Sequence, residues 1–285
     1  MAKTIAVVGV TGAQGGSVAD KFLSLGWNVR GITRSAMSDS AKAKAAEGIS
    51  IVEADLDNLG TLIPAFRGAH VIFAITDFWA PFWEANARLS KISDRATGEH
   101  AYAIEVQRGR NVVDAVQQVS KEDGMLERFI FSTLPSFKEQ SNGKYTYVYH
   151  FDSKADVTEY LKSKEDLWQK SSLLNMAFYS KDTGRFADLL VRCPPKQDLL
   201  AVSEMASYRT VMNIWSKTTG IPAEAQEISV EEADKDAPGG FGRESGESAA
   251  TSAEFGWGDH LVLPKDLDPE IRTTSLKEYM ENQKR

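Results

Sequence analysis

His150 and Lys154 stand four residues apart in "HFDSK" and share one face if that segment is helical. A ring-bearing residue followed at this spacing by a lysine can set a proton donor beside a cation, and histidine titrates near neutrality. The usual donor in such a pair is a tyrosine, whose hydroxyl gives up its proton more readily beside the ammonium. Here the position belongs to His150. Tyr149 lies about 140° round a regular helix from Lys154, and Tyr147 returns to the same face two turns away. Asp152 and Ser153 are N-cap candidates, so a helix that begins after His150 leaves Tyr149 or His150 on a loop. Lys154, His150 and Tyr149 are thus the catalytic candidates. Their plain alternatives are a solvated helix cation and a hydrogen-bonded structural histidine.

These residues need a frame, and the N-terminal half supplies the pattern of one. "TIAVVG" is an uninterrupted β-branched run, as in a strand buried on both faces, and "SVADKFLSLGW" follows with helical spacing up to Gly26. "NVRGITR", "ISIVEADL", "AHVIFAIT" and "LERFIFSTL" read as four more strands, with helices between them, including "YAIEVQRGRNVVDAVQQV". This alternation predicts an α/β fold, a Rossmann-type doubly wound parallel sheet with a smaller C-terminal α/β lobe. Residues 1–155 are expected to form the nucleotide domain, and 156–285 to complete the sheet and build the second lobe. In that remainder "SLLNMAFYS", "DLLAVS" and the short "AQEISV" read as strands, and "SYRTVMNIWSKTTG" as a helix. Residues 231–258, rich in Gly, Ser, Ala and acidic types, read as a mobile cover or a loosely packed helix.

Between the first strand and first helix, "GVTGAQGG" places Gly9, Gly12, Gly15 and Gly16, with Thr11 and Gln14 in the same turn. Glycines there let the backbone approach a pyrophosphate at a helix N-terminus, which predicts a dinucleotide site; a structural turn is the simpler alternative. At the end of the second strand Arg34 stands where an acidic residue would select NAD. Its guanidinium suits a 2′-phosphate, so the expected cofactor is NADP(H); a solvated loop cation is the plain alternative. Asp55, Thr76 and Ser132, at or just beyond later strand ends, complete the expected cofactor set with Lys154, although Asp55 serves equally as a helix cap and Ser132 could equally satisfy backbone groups at the strand end. "DFWAPFW" follows the fourth strand, and Trp79, Phe82 and Trp83, with Phe178 and Tyr179 after the sixth, could wall a substrate pocket or simply pack.

Composition excludes several classes. The net charge of −7 argues against direct nucleic-acid binding. One cysteine and four scattered histidines leave no metal cluster in view. No apolar run is long enough to span a membrane, and "MAKTIAVVGV" lacks the features of a signal peptide, so a cytoplasmic location is expected, with the nucleus open to it. The favoured partner is a small-molecule substrate or a regulatory protein, and the oligomeric state is left open.

As a set, "TIAVVGVTGAQGGSVA", "GITR", "EADL", "IFAITDFW", "EVQRGRNVVDAV", "FIFSTLPS" and "HFDSKADVTEYL" resemble the NmrA-like family, an atypical branch of the short-chain dehydrogenase/reductases, and its fungal members above all. "DTGRFADLLV", "LLAVSE", "PGGFGRE" and "AEFGWG" continue the likeness. The resemblance implies an NADP(H)-binding Rossmann domain with a ligand cleft beside a C-terminal lobe. By position it implies phosphate-binding glycines at Gly9, Gly12 and Gly15, the 2′-phosphate reader at Arg34 and the ribose-contacting lysine at Lys154. Such proteins divide between reductases of small metabolites, here of a carbonyl, imine or conjugated double bond, and redox sensors that bind NADP(H) without turnover. One departure stands out. Lys181 runs directly into Asp182 of "DTG", where the family usually has a further strand-bearing segment, so part of the substrate-lobe floor or a loop over the cleft is missing.

Overall fold

The computed structural model describes residues 2–177 and 180–282. Its first half alternates strictly: β1 (Thr4–Val8), α1 (Ala13–Ser24), β2 (Asn28–Thr33), α2 (Asp39–Ala46), β3 (Ser50–Glu53), α3 (Leu59–Phe66), β4 (Val71–Ala74). Two helices, α4 (Trp79–Leu89) and the long α5 (Ala96–Glu122), lead to β5 (Arg128–Thr133). Then come α6 (Phe137–Gln140), α7 (Tyr149–Lys162), α8 (Glu165–Trp168), β6 (Ser171–Met176), α9 (Thr183–Arg192) and β7 (Asp198–Ala201). Helices α10 (Tyr208–Thr219), α11 (Val230–Asp236), α12 (Phe241–Phe255), α13 (Pro264–Leu267) and α14 (Leu276–Asn282) finish the chain.

The strands form one sheet in the order β3-β2-β1-β4-β5-β6-β7, every pairing parallel. Central β4 and β5 are buried along their whole length, which explains the wholly apolar β4 and the apolar centre Phe129–Phe131 of β5. One face packs on α3, α5 and α7 through Phe66, Val116, Phe129 and Leu161; the other packs on α1 and α9 through Phe22, Phe73, Ile130 and Phe186. The chain leaves β1 toward β2 and β3, then returns on the other side at β4. This reversal opens a crevice at the carboxyl edge, where such sheets bind ligands. Strands β6 and β7, from beyond residue 155, extend the same sheet.

Three local expectations change. "AQEISV" is not a strand: Ser229 instead caps α11, its hydroxyl accepting from Glu232 N–H while the Glu232 carboxylate accepts from Ser229 N–H, so the capping box overrides a short apolar alternation. Helix α7 begins at Tyr149, so Asp152 and Ser153 lie inside it and do not cap it. Asp152 accepts from Ser136 Oγ and Lys138 N–H, and burial raises its carboxyl to about 6. The segment read as a mobile cover or a loosely packed helix is helical, and its α12 is not loosely packed, since it buries Glu244, Glu247 and Thr251. No helix among the described residues is long and apolar enough to cross a membrane.

Candidate functional site

The turn from β1 into α1 is shaped by two glycines. Gly9 has φ +71°, a left-handed conformation, and a Cβ at Gly15 would collide with the Gly9 carbonyl oxygen. Gly12 caps α1 without a side chain, and no acidic residue occupies the first turn. The leading amides of a twelve-residue helix therefore face outward with no side-chain acceptor, which fits an anion such as a pyrophosphate.

They open into a cavity of about 560 Å³ at the switch point. Gly9, Thr11, Gly12, Gln14, Gly15, Arg34, Asp55, Thr76, Trp79, His150 and Lys154 all line it, so the fold gathers most of the sequence candidates in one place. Gly16 and Ser132 do not line it. Ser132 sits beneath, donating to Gln14 Oε1 at 2.8 Å, and so steadies the turn. Arg34 is exposed with no ion-pair partner among the described residues. Arg108 of α5 also reaches this wall, locked to Asp57 by two 2.8 Å hydrogen bonds that hold Asp57 below its ordinary carboxylate range and raise the guanidinium.

Lys154 is tied to a carboxylate that α5 carries into the core. Glu105 is 0% exposed and accepts from the Lys154 ammonium, from Thr76 Oγ1 at 2.7 Å and from Ser153 Oγ at 2.5 Å. Three donors satisfy a charge that burial alone would forbid.

His150 has a second buried carboxyl behind it. Glu244 of α12, 1% exposed, takes the His150 backbone N–H at 2.8 Å and lies 2.6 Å from Nδ1. Helix α7 has no side-chain cap of its own, and Glu244 closes its first turn from another element. Glu247 does the same for the approach, accepting from Thr146 and Tyr147 N–H at 2.6 and 2.7 Å. Burial pushes the Glu244 carboxyl up to about 8 and the His150 imidazolium down to about 3, with Lys154 adding to the second effect. Through the neutral range the pair therefore holds one proton between its two members. When that proton lies between Glu244 Oε1 and Nδ1, the imidazole carries its other hydrogen on Nε2.

Tyr149 turns away from this point. Its ring lies against Gly98, where a Cβ would strike it, its hydroxyl accepts from Arg95 at 2.8 Å, and burial raises its pKa; it does not line the cavity. The aromatic candidates also separate. Trp79 lines the cavity, Phe82 is core, and Trp83 is half-exposed against Phe241, 4.9 Å between ring centres. Phe178 and Tyr179 lie outside the described residues.

A second chamber of about 690 Å³ adjoins the first and shares Trp79, Leu134 and His150 with it. His150 is thus the polar residue of the common wall. The sequence reading missed Glu105, Arg108 and Glu244. Glu105 had a signal, since it interrupts the buried stripe Ala101, Glu105, Val112, Val116 of α5 at helical spacing; Glu244 sits in a Gly/Ser-rich stretch without an apolar stripe and had none.

A glycine turn at the switch point of a seven-stranded parallel sheet defines a Rossmann-type fold of the nucleotide-binding class. A model of the NmrA-like family matches residues 1–198, and the chain belongs to that family. NmrA-like family domain-containing oxidoreductase notA′ of Aspergillus versicolor is 29% identical over 163 residues, 56% of this chain and 40% of that protein. Its namesake notA of Aspergillus sp. (strain MF297-2) is 31% identical over 159 residues, 55% and 41%. The match thus spans about two fifths of these relatives' length. Among solved structures, NmrA, a negative transcriptional regulator, superposes with TM-score 0.67 at 17% identity over 99% of this chain and 95% of its own. The NADPH-dependent quinone oxidoreductase QOR2 of Escherichia coli, complexed with NADPH, gives 0.69 at 15% identity over 99% and 100%. These likenesses establish the fold.

Proposed function

We propose that the chain binds NADP(H) and reduces a small metabolite at a carbonyl, imine or conjugated double bond. One observation carries this reading: His150, backed by Glu244, stands in the wall between the nucleotide-sized cavity and an adjoining chamber. The fit to the cofactor rests on the uncapped α1 amides for the pyrophosphate, Arg34 for the 2′-phosphate and Lys154 for the nicotinamide ribose. The oxidoreductase relatives and the NADPH-bound structural neighbour support the same reading. When bound, NADPH supplies a hydride, two electrons with one hydrogen, and leaves as NADP+. His150 supplies the second hydrogen as a proton from Nε2, the shared proton then rests on Nδ1 beside the Glu244 carboxylate, and solvent restores the one given up. Lys154, held by Glu105, positions the ribose side of the cavity.

The alternative is an NADP(H) redox sensor that binds a regulatory protein without turnover. It is favoured by the committed hydrogen bonds of Lys154 and Tyr149, and by the regulator among the structural neighbours. Calorimetric titration with NADPH, NADP+, NADH and NAD+, followed by NADPH absorbance over a carbonyl, imine and enone panel, separates the two. Tight NADPH binding with consumption supports the reductase. Tight binding without consumption on any compound, and unequal affinity for the oxidised and reduced forms, supports the sensor; weak binding of all four nucleotides refutes both.

A further inference from the structure

We infer that the second chamber takes an uncharged, largely apolar small molecule that presents a carbonyl or imine acceptor to His150; this rests on the reductase reading. Its size, about 690 Å³, lies inside the ~300–1,000 Å³ usual for small-molecule sites. Phe151, Met176, Val211 and Trp257 make its walls largely apolar. Among the described lining residues there is no lysine or arginine, while Lys154 and Arg108 line the nucleotide cavity alone. A carboxylate or phosphate entering here would lose its water and meet no counter-charge. Among the described lining residues Glu204 is the one acidic side chain, exposed, with its carboxylate accepting Leu276 N–H at 2.8 Å.

The room comes from α12. Ser245, Ser248, Ala249 and Ser252 recur at helical spacing along the chamber, so small side chains leave the volume free. Buried positions of the same helix send Glu244 to the first turn of α7 and Glu247 to the residues leading into it. The Gly/Ser-rich composition that obscured this segment in the sequence therefore has two uses, fixing His150 on one side and making space on the other. Orientation follows from the common wall, where Trp79 and Leu134 are predominantly apolar and His150 offers Nε2–H. A ligand with one acceptor and an apolar body gains most by turning the acceptor toward His150.

The test is calorimetric titration of the NADP+-saturated chain with 2-acetylnaphthalene and with 6-acetyl-2-naphthoate; NADP+ keeps turnover out of the measurement. The uncharged ketone should bind at least tenfold tighter than its carboxylate. Ser248→Phe should weaken the ketone at least tenfold while NADP+ affinity stays within twofold, which also certifies the fold. Val211→Arg, by placing a cation in the wall, should turn the preference toward the carboxylate. Equal affinity for the two probes, or ketone binding untouched by both variants, overturns the inference. Failure of NADP+ to bind would sink the nucleotide reading, and the same titration of the free protein would still read the chamber.

Discussion

The proton shared by His150 and Glu244 makes a pH-dependent contribution to stability that can be worked out as a pair. Unfolded, the carboxyl titrates near 4.5 and the imidazole near 6.5; folded, the pair loses its remaining proton at about 8 and gains a second at about 3. Between 4.5 and 6.5 both states therefore hold one proton, and the pair's contribution is flat. From 6.5 to about 8 the folded pair keeps a proton that the unfolded chain has released, so stability falls as pH rises. At about 1.4 kcal/mol per pH unit, a window of about one and a half units costs roughly 2 kcal/mol. Below 4.5 the unfolded chain binds the extra proton and stability falls again toward 3. Glu244→Gln keeps an Oε1 acceptor for His150 N–H and for an Nδ1–H but removes the carboxyl, so its curve should stay flat from 6.5 to 8. Urea unfolding of both proteins at pH 6.0, 7.0 and 8.0 measures the difference of slopes, in which every other titrating group cancels. Parallel curves across that window would refute the shared proton, whatever the absolute stabilities.

Arg34→Ala should weaken NADPH by about tenfold to a hundredfold, the value of a charge-assisted hydrogen bond of roughly 1.5–3 kcal/mol, and leave NADH nearly unchanged; equal loss for both by calorimetry would remove the 2′-phosphate assignment. Gly15→Ala should lower stability by about 1–3 kcal/mol and abolish nucleotide binding, because its Cβ must displace the Gly9 carbonyl; a variant with native melting and native affinity would contradict this geometry. In Glu105→Gln the Lys154 ammonium loses its buried charge partner while Thr76 and Ser153 can still hydrogen-bond the amide, so unfolding free energy should drop by about 3 kcal/mol. Denaturant curves that overlay the parent would refute a stabilising Glu105–Lys154 pair.

Much of the fold was legible because its signals are local. The run "TIAVVG" has no polar face and the centre of "RFIFST" is apolar on both, which marks central strands, and glycine at 9, 12 and 15 suits a tight turn into a helix. Arg34 could be placed because it ends a strand whose neighbours were already assigned. Spacing also put His150 and Lys154 on one helical face, and both do line the cavity.

The direction of Tyr149 was not readable, since it depends on Gly98 and Arg95, some fifty residues earlier. Nor was the helical start of α7, which is closed by Glu244 from 94 residues further on. The identity of a charged residue says only that it prefers water. Whether Glu105 and Glu244 are buried depends on donors delivered by other elements: Thr76, Ser153 and Lys154 to one, His150 to the other. The sequence by itself therefore determined the sheet, the glycine turn and the cation at its rim, all consequences of backbone preference and period. Only the tertiary structure decided which carboxyls enter the core, and with them what His150 is bonded to and what kind of space adjoins it.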